Sequence, residues 1–256
     1  MKSARTVSAI GLLLALTITA SVTSARAAEI VFLCANALQP AMKELIPEFE
    51  KTSGHVVKVS YALIGVNADH VRKGDPADLA IMSPPQWEDL KNEGKLDVSI
   101  RAVVAKIGIG VFVTKGAAKP DIGSVDAFKR ALMGARSIAV PVAPANPVAV
   151  YAVRLFDRLG IAAELKPKNV VVVGSSPIQA VARGDAEIGF TQTSEVIAAP
   201  RVDFVGPLPA EIQNYTVFTT AAPTNSKEPG AAKALIEFLM SARAVTVLKS
   251  KGLEPG

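Results

Sequence analysis

From Glu29 onward the sequence switches between two hydrophobic periods, and that alternation restricts the fold more than any other feature. Short apolar runs at 29–35, 56–61, 78–82 and 103–114 read as strands, most of them buried on both faces. Between them lie amphipathic helices. Residues 40–52 place Met42, Leu45, Ile46 and Phe49 at three- and four-residue spacing, with Pro47 as a defect in that helix. Residues 66–73 form a second helix, and 84–93 a third that starts on two prolines and stops at Gly94. The pattern then repeats. Ser124 is placed to cap a helix over 125–133, and 137–142 reads as a strand. A helix over 146–159 ends at Gly160, and a strand over 170–173 follows. The helix at 176–183 closes at Gly184, and 187–191, 202–205 and 215–221 are strands. Helices over 228–240 and 244–251 complete the series. Strand alternating with helix predicts an α/β fold with parallel pairing and helices on both faces. No internal repeat and no low-complexity linker interrupts it, so two lobes would have to share strands.

The segment before this pattern has a different logic. Lys2 and Arg5 precede an apolar run from Ala9 to Ala20, and the stretch closes on Ala25-Arg26-Ala27. Basic region, short apolar region and small-residue site are the order of a secretory signal peptide, expected over 1–28. The apolar run is shorter than the roughly 20 residues a membrane span needs. The expected location is the periplasm. Charge has to be recounted on that basis. The whole chain carries 28 basic and 23 acidic residues, and without Lys2, Arg5 and Arg26 the balance falls to 25 against 23. Those charges are scattered and not interleaved with aromatics, which argues against nucleic acid as a partner. Cys34 is the single cysteine and lies within an apolar run, so it reads as a buried, unreactive thiol. No Walker loop, nucleophile elbow or Cys–His pair occurs, and no metal or cofactor is expected. Gly108-x-Gly110 lacks the third glycine of a dinucleotide loop and falls within a strand. His55 and His70 read as solvated histidines, and Trp87 and Phe49 as helix core residues. Asp75 and Asp78 flank Pro-Ala as a structural turn.

Arg72–Ser83 (RKGDPADLAIMS) resembles the basic–x–Gly–x–Pro-Ala-Asp–apolar signature of type II periplasmic solute-binding proteins, in the molybdate-binding-protein-like branch. Gly184–Phe190 (GDAEIGF) is similar to the matching signature of the second lobe. Residues 29–63, 206–221 and 228–239 carry the same likeness. The resemblance implies two lobes, with 29–105 plus 225–256 forming the first and 106–224 the second. Crossover strands are implied near 106–113 and 215–221, and a small anionic ligand would lie between the lobes. Membrane subunits of an ABC-type transporter would be the partners of a monomeric binder. Physics selects the same place, because ligands of open α/β sheets bind beyond the carboxyl ends of the strands, where helices begin.

The candidate ligand-binding residues at those junctions are Asn36 and Ala37, Leu63, Ile64 and Gly65, Ser83, Asn146, and Thr191, Gln192 and Thr193. Asn36 stands where the resemblance puts a ligand-binding hydroxyl, although an asparagine there also suits a turn. Gln192 offers both a donor and an acceptor to a carboxylate or amide. Ser83 and Asn146 equally suit helix caps, and Thr193 or Ser194 suits the cap of a following helix. Molybdate binders of this branch carry hydroxyls at the first two junctions, where this chain has Ala35-Asn36-Ala37-Leu38 and Ala62-Leu63-Ile64-Gly65. A desolvated dianion needs many donors. An apolar Leu63-Ile64 lip therefore predicts an organic carboxylate in place of molybdate. The same branch resembles aconitate isomerase, through Ala105–Val111 and Gly206–Phe218. Isomerisation moves a proton at carbon and needs a positioned base. Lys106 is the one candidate the sequence offers for it.

Overall fold

The computed structural model describes residues 27–141, 147–171 and 176–256. All of the expected export segment but Ala27 and Ala28 lies outside the described residues, as do Asn146 and the ends of the strands expected over 137–142 and 170–173. The first elements in chain order are β1 (Glu29–Ala35), α1 (Gln39–Ser53), β2 (Val56–Ala62), α2 (Ile64–Lys73), β3 (Leu79–Met82), α3 (Pro84–Asn92), β4 (Leu96–Asp97) and β5 (Val103–Ile107). They are followed by β6 (Ile109–Thr114), α4 (Val125–Gly134), β7 (Ile138–Val140), α5 (Pro147–Arg158), α6 (Ala162–Leu165), β8 (Asn169–Val171) and α7 (Pro177–Arg183). Next come β9 (Ile188–Gln192), α8 (Thr193–Ile197) and β10 (Val202–Pro207). The chain ends with β11 (Thr216–Pro223), α9 (Pro229–Leu239), α10 (Ala242–Ser250) and β12 (Glu254–Pro255).

These strands form two sheets. The first runs β12-β5-β11-β3-β1-β2, with β4 added to β11, and the second runs β10-β6-β9-β7-β8. In the first, β1 pairs parallel with β2 from Glu29↔Val56 to Ala35↔Ala62, and parallel with β3. Side chains alternate across this sheet as the strand period requires. Ile30, Phe32, Cys34, Leu79 and Ile81 pack with α1, α9 and α10 on one face. Leu33, Ala80, Met82 and Ala221 pack with α2 and α3, including Val71 and Trp87, on the other. The second sheet has its own core of Val111, Val113, Phe128, Leu155 and Phe190. The fold is the two-lobed α/β arrangement the sequence predicts.

Asp78 fastens the first lobe to the far end of the chain. Its Oδ2 accepts from Val31 N–H at 2.9 Å. Its Oδ1 accepts from Ser226 Oγ at 2.9 Å, Lys227 N–H at 2.8 Å and Glu228 N–H at 3.0 Å, at the start of α9. Burial pushes this carboxyl up, but the accepted hydrogen bonds outweigh it and hold the pKa below the usual value.

Four expectations need correction. The pairing is mixed and not parallel throughout, since β11 runs antiparallel to β3 and β5, and β6 antiparallel to β9 and β10. The chain leaves the first sheet on β5 and β6 and returns on β10 and β11. The strand expected over 103–114 is two strands, β5 in the first sheet and β6 in the second, with Gly108 alone between them. A continuous apolar run carries no mark of where one sheet ends and the next begins. The helix expected from residue 66 starts at Ile64, which turns the Leu63-Ile64 lip into a helix N-terminus. At α8 the N-cap position is Gln192, not Thr193 or Ser194, because the Thr193 hydroxyl is bonded elsewhere. Pro47 leaves α1 continuous.

Candidate functional site

The carboxyl ends of β1, β2 and β3 lie along one edge of the first sheet, since Ala35 is level with Ala62 and β1 pairs with β3 through Phe32↔Leu79 and Leu33↔Ala80. Antiparallel β11 enters at this same edge, with Thr219 opposite Met82. Its first residue, Thr216, accepts at 3.5 Å from Nε2 of Gln192, the last residue of β9 in the second sheet. The junctions of both sheets therefore meet where β11 begins.

The described residues among those predicted lie at the ends of strands in the two sheets. Asn36 opens a short 3-10 turn, Asn36–Leu38, that has no side-chain cap, and its own exposed side chain makes no hydrogen bond among the described residues. Ala37 is half-buried in that turn. Leu63 is the N-cap of α2 with 69% of its surface exposed, and Ile64 and Gly65 are the first two helical residues. A leucine cannot accept the first N–H groups of a helix, so the positive end of α2 faces outward without a cap. Asn67 locks this helix start in place. Its buried Nδ2 donates to Leu33 C=O at 3.3 Å and Ile81 C=O at 3.1 Å, clasping α2 to β1 and β3.

Ser83 serves α3 instead. Its hydroxyl and its N–H both donate to Gln86 Oε1 at 2.9 Å, and Pro84 and Pro85 give that helix no early N–H groups. Thr191 is fully buried and donates its hydroxyl to Glu195 Oε2 at 2.7 Å. Thr193 donates both its N–H and its hydroxyl to Gly108 C=O, at 2.9 and 3.0 Å. Gln192 is the one member of this trio with an amide directed at another element of the junction. Asn146 lies outside the described residues.

Lys106 sits on β5 with its ammonium 3.6 Å from Glu254 and 5.0 Å from the centre of the Tyr215 ring. Burial, then the hydrogen bond to Glu254, pushes the Tyr215 phenol above its ordinary pKa. This cluster adjoins Thr216 but is engaged with β12. Burial drives the Cys34 thiol far up, in keeping with an unreactive role, and Tyr61 beside it is pushed up to about 12 by burial and by Cys34.

Sequence reasoning passed over three residues at this edge. Gln86 has its Oε1 fixed by Ser83, which leaves its Nε2 about 3.6 Å from where a Cβ on Gly65 would stand, beside the α2 N-terminus. Thr216 is the partner of Gln192, and Gln213 braces the strand break at Gly108. The Ser-x-x-Gln spacing of a capping box marked Gln86 in the sequence. Nothing in the sequence marked Gln213. The uncapped N–H groups of α2 and the Gln86 amide lie together here, rimmed by Leu63 and Val66, the latter 43% exposed. An open depression of about 420 Å³, lined by Ile178, Ala182, Arg183 and Arg201 among others, lies on α7 and the turn before β10, away from the junction edge.

Residues 30–254 match the model of the bacterial extracellular solute-binding protein family, and the chain belongs to that family. Its architecture is that of the type II, molybdate-binding-like solute-binding proteins. Aconitate isomerase from a Pseudomonas species is 31% identical over 231 residues, covering 87% of this chain and 86% of that one. Molybdate-binding protein ModA from Azotobacter vinelandii is 30% identical over 243 residues, covering 90% and 91%. A substrate-binding domain assigned to a molybdenum ABC transporter of Clostridium difficile superposes with a TM-score of 0.80 at 22% identity, covering 90% of this chain and all of that domain.

Proposed function

We propose that this chain is a periplasmic solute-binding protein that captures a small carboxylate-bearing solute between its lobes and delivers it to an ABC-type transporter. The observation that carries the carboxylate is the α2 N-terminus. Its N–H groups are uncapped, yet its flanking side chains are Leu63, Ile64 and Val66 in place of hydroxyls. A carboxylate takes the N–H groups, and its carbon skeleton takes the apolar rim. Asn36 and Gln86 supply further neutral donors on the first lobe's edge, and Gln192 supplies one from the second sheet. The second lobe closes over the solute by bending at the two sheet-to-sheet connections.

A second reading, catalysis on aconitate, is favoured by the isomerase relative and by the Lys106–Glu254–Tyr215 cluster next to Thr216. One experiment separates the two. The exported protein is melted in the presence of molybdate, citrate, and cis- and trans-aconitate, then incubated with cis-aconitate and analysed by chromatography. A ligand specific to the folded state raises the melting temperature. Stabilisation by a carboxylate without interconversion supports capture. Appearance of trans-aconitate without added cofactor establishes the isomerase. Stabilisation by molybdate alone refutes the carboxylate reading.

A further inference from the structure

Among the described residues, the chain passes between the two sheets at two places, from β5 to β6 through Gly108 and from β10 to β11 through residues 208–215. Side chains bind these two connections together. The β6–β10 ladder runs out at Gly110↔Pro207, and proline has no N–H to extend it. Ile109 is buried beyond that point; Leu208 N–H still reaches its C=O at 3.1 Å, but its own N–H needs another partner. The Gln213 side chain supplies it. Its Oε1 accepts from Ile109 N–H at 2.8 Å and its Nε2 donates to Ile109 C=O at 3.0 Å. An amide from the other connection thus takes the Ile109 N–H and shares its C=O with Leu208. Oε1 also accepts from Asn214 N–H at 3.0 Å, which fixes the orientation of the amide.

The same amide lies against Gly108. A Cβ at that position would stand 3.0 Å from Gln213 Cδ and from Nε2, so a larger residue there must push the amide back. On its other side, Gly108 C=O is gripped by Thr193 through both N–H and hydroxyl. Gly110 is closely packed as well, since a Cβ there would fall 2.7 Å from the Phe204 ring. The Gly-x-Gly pair is thus a close-packing device at the crossing.

We propose that Gln213, seated on Gly108, is the latch that sets the angle between the two lobes, and that Gln192–Thr193 couples this angle to the junction edge. Any rotation about Gly108 must slide or break the Gln213 and Thr193 contacts together. Gln192, next to Thr193, reaches Thr216 at the start of the second connection at 3.5 Å, a length at which the bond is weak and readily exchanged. A solute acceptor that takes the Gln192 amide would release Thr216 and change the resting geometry of both connections. The coupling to solute depends on the capture reading above. The latch itself does not.

The test therefore uses ligand-free exported protein, comparing Gln213→Ala and Gly108→Ala with the parent chain. The first removes the amide, and the second displaces it while leaving it intact. Circular dichroism checks that both sheets are retained. Small-angle scattering reads the lobe angle, and hydrogen exchange reads the Ile109 amide. Both variants are expected to shift the radius of gyration in the same direction, and to speed exchange at Ile109 by about tenfold or more as its protecting bond is lost. A folded variant with unchanged scattering and unchanged Ile109 exchange overturns the latch. If Gln213→Ala does not fold, Gly108→Ala alone decides the outcome by the same two readouts. Failure of the solute reading would appear only in the melting experiment, so the two are distinguishable.

Discussion

Replacing Asp78 with alanine tests the strongest polar tie in the first lobe. The carboxylate accepts four hydrogen bonds, one from Val31 and three from the segment that starts α9. Val31 N–H lies within β1 and would be left unpaired beside a small apolar residue, at about 1–3 kcal/mol. Loss of the α9 cap adds about 1 kcal/mol, since Lys227 is exposed and water can reach its N–H. The expected loss is about 3 kcal/mol in urea unfolding at pH 7, with the slope unchanged. The pH dependence follows from the sign of the shift. A carboxyl whose folded pKa is depressed contributes stability that is fully present above its unfolded pKa of about 3.9, and that is lost as pH falls through the folded value. The gap between parent and Asp78→Ala should therefore be constant from pH 7 to about 5 and narrow below about 4. A loss under about 1 kcal/mol, or a gap that does not narrow in acid, would show that the α9 start is held by packing and not by this carboxylate.

Gly189→Ala should destabilise by about 1–3 kcal/mol, because its Cβ would fall 2.4 Å from Phe112 Cζ inside the second sheet's core; thermal unfolding checks this. Mass spectrometry of the exported protein should find a terminus at Ala28 or Glu29, and an intact Met1 would refute processing. Asn36→Ala and Gln192→Ala should each weaken capture of the carboxylate found by melting, by about 1–3 kcal/mol in calorimetry, with thermal stability nearly unchanged. Molybdate should give little or no heat, and submicromolar affinity would contradict the role assigned to Leu63.

Much of this fold was legible because strands buried on both faces and amphipathic helices carry different periods. β1, α1, β3 and α3 fall within a residue or two of their predicted positions. Short elements were not legible. β4 and β12 have two residues each, and α8 has five, too few for any period to show. The β5–β6 break was hidden because both strands are equally apolar, and what parts them is a contact with Gln213, over one hundred residues away. At the junction edge, position was predictable while partnership was not. Thr191, Gln192 and Thr193 read as equivalent polar residues after a strand. Their side chains turn to Glu195, Thr216 and Gly108 respectively, and only tertiary packing assigns those partners.

The closing of the first sheet by β12 and the capping of α9 by Asp78 have a consequence for how the chain matures. The second sheet is built from one uninterrupted stretch, β6 to β10, and can assemble as soon as that stretch has emerged. The first lobe cannot. It lacks α9, α10 and an edge strand until Glu254–Pro255 arrives, so its core stays open while the rest of the chain is synthesised. A chain cut short before Thr216 would hold a finished second lobe beside an exposed half-sheet, with β3 lacking the neighbour that β11 provides. For this protein the chain from Thr216 onward decides whether residues 29–107 become a stable body or a substrate for proteases.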